Sequence, residues 1–153
     1  MKRLSSIMML VLAINCANAQ DLTFGVKAGA MAISYDNSVG GSSDTGFYAG
    51  GFVDFALTDK FRLEPTFLVT ILPDNKGISV PILVKYSFFE KFYAKAGPGI
   101  NYSFDAKNDA FSPSFDLGAS YDILENLFVD ARADFGLSGY LANTISVGAG
   151  YRF

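Results

Sequence analysis

Residues 61–71 have the sequence FRLEPTFLVTI, which alternates between two kinds of side chain. Apolar side chains occupy every odd position, whereas the even positions, among them Arg62 and Glu64, are polar except at Leu68. Successive side chains of a β-strand point to opposite faces, so a period of two is typical of a strand with two different faces. We therefore predict a strand here, with one apolar and one polar face.

The same alternation recurs along most of the chain, and no helical period competes with it. It appears in seven further segments, at 22–32, 46–57, 78–88, 92–104, 115–123, 127–137 and 144–153. Strands at this spacing, separated by turns, favour an all-β protein. The sequence predicts about eight antiparallel strands, which can close into a β-barrel.

The connections between these segments alternate in length. Short connections lie at 58–60, 89–91 and 124–126, and longer ones at 34–44, 72–77 and 105–112. Short turns at one rim and longer loops at the other are typical of outer-membrane barrels.

Three prolines, Pro65, Pro81 and Pro98, fall inside predicted strands. Proline has no backbone N–H, so each removes a hydrogen bond from the sheet. We expect bulges or rim positions at these three residues.

The N-terminal residues have the features of a secretory signal. Lys2 and Arg3 precede an apolar run at 7–14, and Ala17 and Ala19 fit the small-residue cleavage pattern. We therefore predict export through a signal peptide.

The predicted signal peptide covers 1–19, and one β-barrel domain covers 20–153. Cys16 is the only cysteine and lies within the signal, so the mature protein should have no disulfide. Lipidation of Cys16 is the alternative, but Asn15 stands where a lipidated cysteine normally follows a small residue.

Alternation alone would also fit a soluble, lipocalin-like barrel with its apolar face inside. An eight-stranded barrel is only just wide enough for its side chains, and five or six apolar residues per strand would overfill it. A Lys or Arg facing lipid at the bilayer midplane costs about 2–4 kcal/mol. All charges of the predicted strands fall on the polar face: Lys27, Asp54, Arg62, Glu64, Lys85, Lys95, Asp116, Asp122, Asp130, Arg132, Asp134 and Arg152. We conclude that the apolar face points to lipid, so the sequence predicts an antiparallel transmembrane β-barrel of about eight strands.

Several blocks of the chain resemble a known family. They are GFYAGGFVDFALTDKFRLEPTFLV at 46–69, ISVPILVKYSFFEKFYAKAGPGINYSF at 78–104, ENLFVDARADFGLSG at 125–139 and ISVGAGYRF at 145–153. Together they are similar to the porin-family outer-membrane β-barrel domain, a group of small barrels that includes the PorT-like proteins. The resemblance implies a bacterial outer-membrane location and says little about substrate.

The C-terminal Tyr151 and Phe153 resemble the aromatic signal that the outer-membrane barrel assembly machinery recognises during biogenesis. The chain departs from the usual aromatic girdle because it has no Trp. Tyr and Phe must therefore serve as its anchors at the membrane interface.

The residue types restrict the possible chemistry. There is no His, which excludes Ser-His-Asp triads and His-based metal sites as ordinary mechanisms. Asp130 and Asp134 flank Arg132 and could be imagined as a pair of catalytic carboxylates. We prefer to assign them to an ion-pair network in the lumen, where six bases balance six acids, and we expect no catalytic site, cofactor or metal.

These observations predict a non-enzymatic outer-membrane barrel that is structural, or passively permeable to small solutes at most. We expect a monomer in contact with outer-membrane lipid, and no nucleic-acid partner, given the net charge of -3. One alternative is a cell-surface binding or adhesion module that acts through the loops at 34–44 and 105–112. The second is a lipid-modifying enzyme, which the missing His disfavours.

Overall fold

Eight antiparallel strands form a closed barrel in a computed structural model, which describes residues 22–35, 42–73, 75–105, 110–137 and 142–153. The predicted signal peptide at 1–19, with Cys16, lies outside these residues. The strands are β1 (Leu22–Tyr35), β2 (Ser42–Ala56), β3 (Phe61–Ile71), β4 (Lys76–Phe89), β5 (Phe92–Ser103), β6 (Phe111–Asp122), β7 (Leu127–Gly136) and β8 (Ala142–Arg152). Each strand pairs with the next along the chain, and β8 pairs with β1. The predicted fold class is confirmed.

The described part of the chain contains no helix that is long and apolar enough to cross a membrane.

The strand registers separate an apolar outer surface from a polar interior. Phe24 and Phe67 on the outside are 55% and 51% exposed, whereas Lys27 and Asp54 on the inside are 3% and 1% exposed. Directly opposed residues share a face, as Lys27 does with Gly50, its partner on β2. A soluble barrel would have the reverse arrangement, so this surface requires lipid.

The two ends of the barrel differ. The connections at 57–60, 90–91 and 123–126 lie at one end, which we call the short-turn end. The other end, the loop end, carries the remaining four connections, three of which are longer than any of the short turns. Phe153 closes the seam at the short-turn end, where its N–H donates to the carbonyl oxygen of Phe24 at 2.9 Å.

The expectation of bulges or rim positions at the three prolines is wrong. Pro65, Pro81 and Pro98 lie well inside β3, β4 and β5, and each coincides with a gap in the pairing to the preceding strand. The register is the same on both sides of each gap. A missing donor removes one hydrogen bond, and the neighbouring pairs are sufficient to hold the strands in place. The register shifts instead between Ser87 and Phe89, at the end of β4.

Candidate functional site in the barrel lumen

The carboxylate of Glu64 is the hub of the lumen. Glu64 is fully buried on β3 and meets lysines from three other strands. Lys27 Nζ lies 3.0 Å and Lys95 Nζ 3.1 Å from its Oε1, and Lys85 Nζ lies 3.2 Å from its Oε2. Side chains can converge in this way because an eight-stranded barrel is narrow enough for opposite walls to touch.

Two more carboxylates extend this hub. Asp54 lies 2.5 Å from both Lys85 Nζ and Arg62 Nε, and Asp130 lies 2.5 Å from Lys95 Nζ. The resulting central network has four cations and three anions: Lys27, Asp54, Arg62, Glu64, Lys85, Lys95 and Asp130. A buried charge is tolerated when it is paired and hydrogen-bonded, and every member of this network has a partner.

A second group, nearer the loop end, contains two acids and one base. Arg132 Nη2 donates to Asp134 Oδ2 at 3.0 Å, and Arg132 Nε lies 2.6 Å from the other oxygen, without hydrogen-bond geometry. Asp116 is 3.8 Å from the same Nε and accepts a hydrogen bond from Ser114 Oγ at 2.7 Å. We call Asp116, Arg132 and Asp134 the loop-side triad.

The remaining two charges of the predicted set form a separate pair near the short-turn end. Arg152 Nη2 donates to Asp122 Oδ1 at 2.8 Å. Each of the twelve charged residues named from the sequence therefore lies in an ion pair in the structure.

The two carboxylates that could be imagined as a catalytic pair have different partners. Asp130 pairs with Lys95, whereas Asp134 pairs with Arg132. Both are 5% exposed, so neither is open to a substrate from solution. A general acid or base must come within hydrogen-bond reach of the group it protonates or deprotonates. In this arrangement each of the two carboxylates is engaged by its own cation.

Two phenylalanines that the sequence analysis did not name meet in the lumen beside the central network. The rings of Phe52 on β2 and Phe128 on β7 lie 5.5 Å apart in an edge-to-face contact. These strands are not neighbours, so the rings touch across the lumen. Gly25 and Gly150 make room for them, because an added Cβ would lie 2.3 Å from Phe52 Cζ or 2.2 Å from Phe128 Cζ.

Cations lie over the faces of these two rings. Lys27 Nζ is 5.8 Å from the Phe52 centroid, and Lys95 Nζ and Arg152 Cζ are 5.5 and 4.5 Å from the Phe128 centroid. A cation within about 6 Å of a ring face is attracted to it. The aromatic pair is thus in direct contact with cations of the central network. The sequence did carry a signal for this pair. Both phenylalanines occupy inward-facing positions, and each lies opposite a glycine of the neighbouring strand.

A third layer lies nearer the loop end. Met31, Tyr48 and Leu68 form a buried apolar cluster, with Ile33 packed against it. The lumen is therefore filled at successive levels by the aromatic pair, the central network and this cluster. Within the described residues, no group of three or more Cys, His, Asp or Glu side chains is arranged to hold a metal ion.

Comparisons with known proteins agree with this architecture. The sequence model of the outer membrane protein β-barrel domain family matches residues 4–153. No curated protein has a significantly similar sequence.

Several solved structures share the fold. A de novo designed transmembrane β-barrel has a TM-score of 0.61 at 16% identity, with 86% of this chain and 95% of that chain covered. Ail of Yersinia pestis, the attachment invasion locus protein, solved with the heparin analogue sucrose octasulfate, has a TM-score of 0.59 at 15% identity and coverage of 88% and 100%. Neisserial surface protein A has a TM-score of 0.58 at 20% identity and coverage of 87% and 98%.

These identities are low, so the solved structures show a common fold, whereas the family match extends over nearly the whole sequence. In outer-membrane barrels the short turns face the periplasm and the longer loops face the exterior. The chain belongs to the outer membrane protein β-barrel domain family, which indicates the bacterial outer membrane as its location.

Proposed function

We propose that this protein is a plugged outer-membrane barrel whose role in the envelope is structural, with passage of small solutes at most. In this proposal it is a monomer of the PorT-like, porin-family kind, and it carries out no catalysis. The observation behind it is the depth at which charged and aromatic side chains are buried in the lumen.

The depth of burial supports a closed lumen. Glu64 and Lys85 in the central network are 0% and 1% exposed, and Leu83 and Phe128 are 0% exposed. These side chains therefore border almost no space large enough for a water molecule. A conducting pore would need a continuous water-filled path past them.

The charges support the same proposal. A selective pore usually has a ring of unpaired charge of one sign facing its water column. In this barrel the twelve charges named from the sequence form ion pairs, and the hub carboxylate of Glu64 is shared by three lysines. To open a path, several buried ion pairs would have to separate, which is strongly unfavourable.

Single-channel recording in planar bilayers tests the proposal. We expect the purified, folded monomer to give no large and stable conductance, with a heat-unfolded sample of the same preparation as the control for contaminating porins. Large, stable steps from the folded sample, absent from the unfolded one, would overturn the plugged-barrel proposal.

We also propose that Tyr151 and Phe153 act as the signal for the outer-membrane assembly machinery, after export by a signal peptide at 1–19. Their rings lie 5.6 Å apart at the short-turn end, and Phe153 lies where β8 meets β1. This seam joins the first and last strands, so the position suits a residue that guides assembly.

A second candidate function is binding at the cell surface. At the loop end, the outward face of β1, β2 and β8 carries exposed polar side chains, at Ser34, Ser43, Thr45 and Asn143. A transmembrane strand needs about 9–11 residues, whereas β1 and β2 have 14 and 15. A polar wall projecting beyond the membrane would be available to a partner.

Retention of expressing bacteria on immobilised heparin tests this second candidate, since a neighbour of similar fold was solved with a heparin analogue. We expect a Thr45→Glu and Asn143→Glu double variant to lose retention while the barrel still inserts. Retention equal to that of cells without the barrel would remove this candidate.

A further inference from the structure

The hairpin between β4 and β5 places three phenylalanines on the outer surface of the short-turn end. The shift between Ser87 and Phe89 leaves Phe88 as an extra residue, so Phe89 pairs with Phe92. Opposed residues share a face, and Phe92 lies on the outer one. Phe88 and Phe89 are 58% and 75% exposed. Two consecutive residues thus point outward where strict alternation would have turned one of them inward.

Local contacts hold this bulge in place. Ser87 Oγ donates to the carbonyl oxygen of Phe89 at 3.0 Å, and the Ser87 N–H donates to the carbonyl oxygen of Lys60 at 2.9 Å. The rings of Phe61, Tyr86, Phe88 and Phe92 follow one another with centroid separations of 5.0, 4.9 and 6.5 Å. Phe88 and Phe92 therefore belong to an ordered aromatic surface.

Beside this surface lies a groove of about 690 Å³, lined by Phe89, Glu90, Lys91, Phe92 and Tyr121. The Asp122 N–H donates to the carbonyl oxygen of Lys91 at 2.8 Å, which fixes the turn against the end of β6. Its lining combines three aromatic residues with one acidic and one basic residue, which are consecutive in the chain. The groove lies at the short-turn end, which faces the periplasm in outer-membrane barrels.

We propose that this groove, which we call the rim groove, binds one phospholipid whose head group carries both a phosphate and a primary amine. Its acyl chain packs against the rings of Phe89, Phe92 and Tyr121. The phosphate pairs with the ammonium of Lys91, and the amine donates to the carboxylate of Glu90. Phosphatidylethanolamine has this chemistry.

The order of charges selects this class of lipid. A purely anionic head group would meet the repulsion of Glu90, and a quaternary ammonium has no N–H to donate to it. The other short turns have only part of the arrangement. The turn at 57–60 carries Asp59 and Lys60 but does not line the groove, and the turn at 123–126 carries Glu125 without a base.

Native mass spectrometry of the full barrel in detergent micelles tests the proposal by counting retained lipids. We expect one phosphatidylethanolamine to bind with a higher affinity than phosphatidylglycerol or phosphatidylcholine. Lys91→Glu and Phe89→Ala should each weaken it by about tenfold or more, equivalent to at least about 1.4 kcal/mol. The matched controls Lys60→Glu and Phe24→Ala should leave the affinity unchanged, and all variants are first checked for heat-modifiable gel migration.

Equal binding of phosphatidylethanolamine and phosphatidylglycerol would overturn the proposed head-group pairing. Equal losses in Lys91→Glu and Lys60→Glu would overturn the site itself.

A fluorescence measurement keeps the proposal testable if a loss variant does not fold. The chain has no Trp, so Phe89→Trp introduces a single tryptophan, which can be excited selectively over the eight tyrosines. The protein is placed in vesicles that contain a small fraction of lipid brominated on the acyl chain. We expect brominated phosphatidylethanolamine to quench the Trp fluorescence of Phe89→Trp more than the same mole fraction of brominated phosphatidylglycerol does. A Phe24→Trp control should be quenched equally by both, and equal quenching at position 89 would contradict the proposal.

Discussion

At the scale of single residues, Glu64 is the residue on which the most ion pairs in the central network converge. Its carboxylate is shared by Lys27, Lys85 and Lys95, all of them buried. Glu64→Gln keeps the volume and removes the charge, which leaves four cations against two anions in the central network. Since breaking a buried ion pair costs about 3–5 kcal/mol, we expect the free energy of unfolding to fall by about that amount.

Denaturant titration, followed by heat-modifiable gel migration, measures this loss. Glu125→Gln, in an exposed turn, is the matched control and should be neutral. An unfolding midpoint for Glu64→Gln that coincides with the control would show that the hub contributes nothing to stability.

Gly150 is a second residue with a specific steric role. A Cβ at this position would lie 2.2 Å from the Phe128 ring, so Gly150→Ala should destabilise the barrel by about 1–3 kcal/mol through overpacking. Unfolding in denaturant measures the effect. Gly51→Ala is the control, because its nearest neighbour would be 3.6 Å away. Adding Phe128→Leu should restore part of the loss, and the absence of any rescue would argue against the ring contact as the cause.

At the scale of the strands, the prolines interrupt the hydrogen bonding between adjacent strands of the barrel. Each lies in a gap in the pairing of β3, β4 or β5 with the strand before it. Pro98→Ala restores an N–H that can pair with β4. A net hydrogen bond is worth about 0.5–1.5 kcal/mol, so this variant should be more stable than a matched proline variant by that amount.

The matched variant is Pro73→Ala, in the connection between β3 and β4, where there is no strand pairing to restore. Both changes add the same freedom to the unfolded chain, so the comparison isolates the hydrogen bond. Equal unfolding free energies for the two variants would mean that the N–H restored at position 98 forms no stabilising hydrogen bond.

At the scale of the whole molecule, closure of the barrel depends on the seam between β8 and β1. We expect Phe153→Ala to lower the yield of folded barrel in cells severalfold, measured as heat-modifiable protein in the outer-membrane fraction. Its refolding yield from urea into detergent should change little, because its seam hydrogen bond to Phe24 uses the backbone N–H. Equal losses in cells and in detergent would assign Phe153 a structural role and contradict the assembly signal.

Much of the fold follows from the sequence because the decisive signal is local. Alternation with a period of two depends only on neighbouring residues, and it predicted the strands and the inward parity of charges such as Lys27 and Glu64. The prolines show where a local rule misled. A missing N–H at Pro81 suggested a bulge, whereas the pairs on either side hold the register.

The sequence by itself determined the all-β class, the two faces of each strand and the absence of His-based chemistry. Only the tertiary structure decided which charges pair, that Phe52 meets Phe128, and that Phe89 turns outward at a bulge. The physical reason is distance along the chain. Contacts across the lumen join strands that are not neighbours, so they depend on the register and closure of the entire barrel, which no single segment encodes.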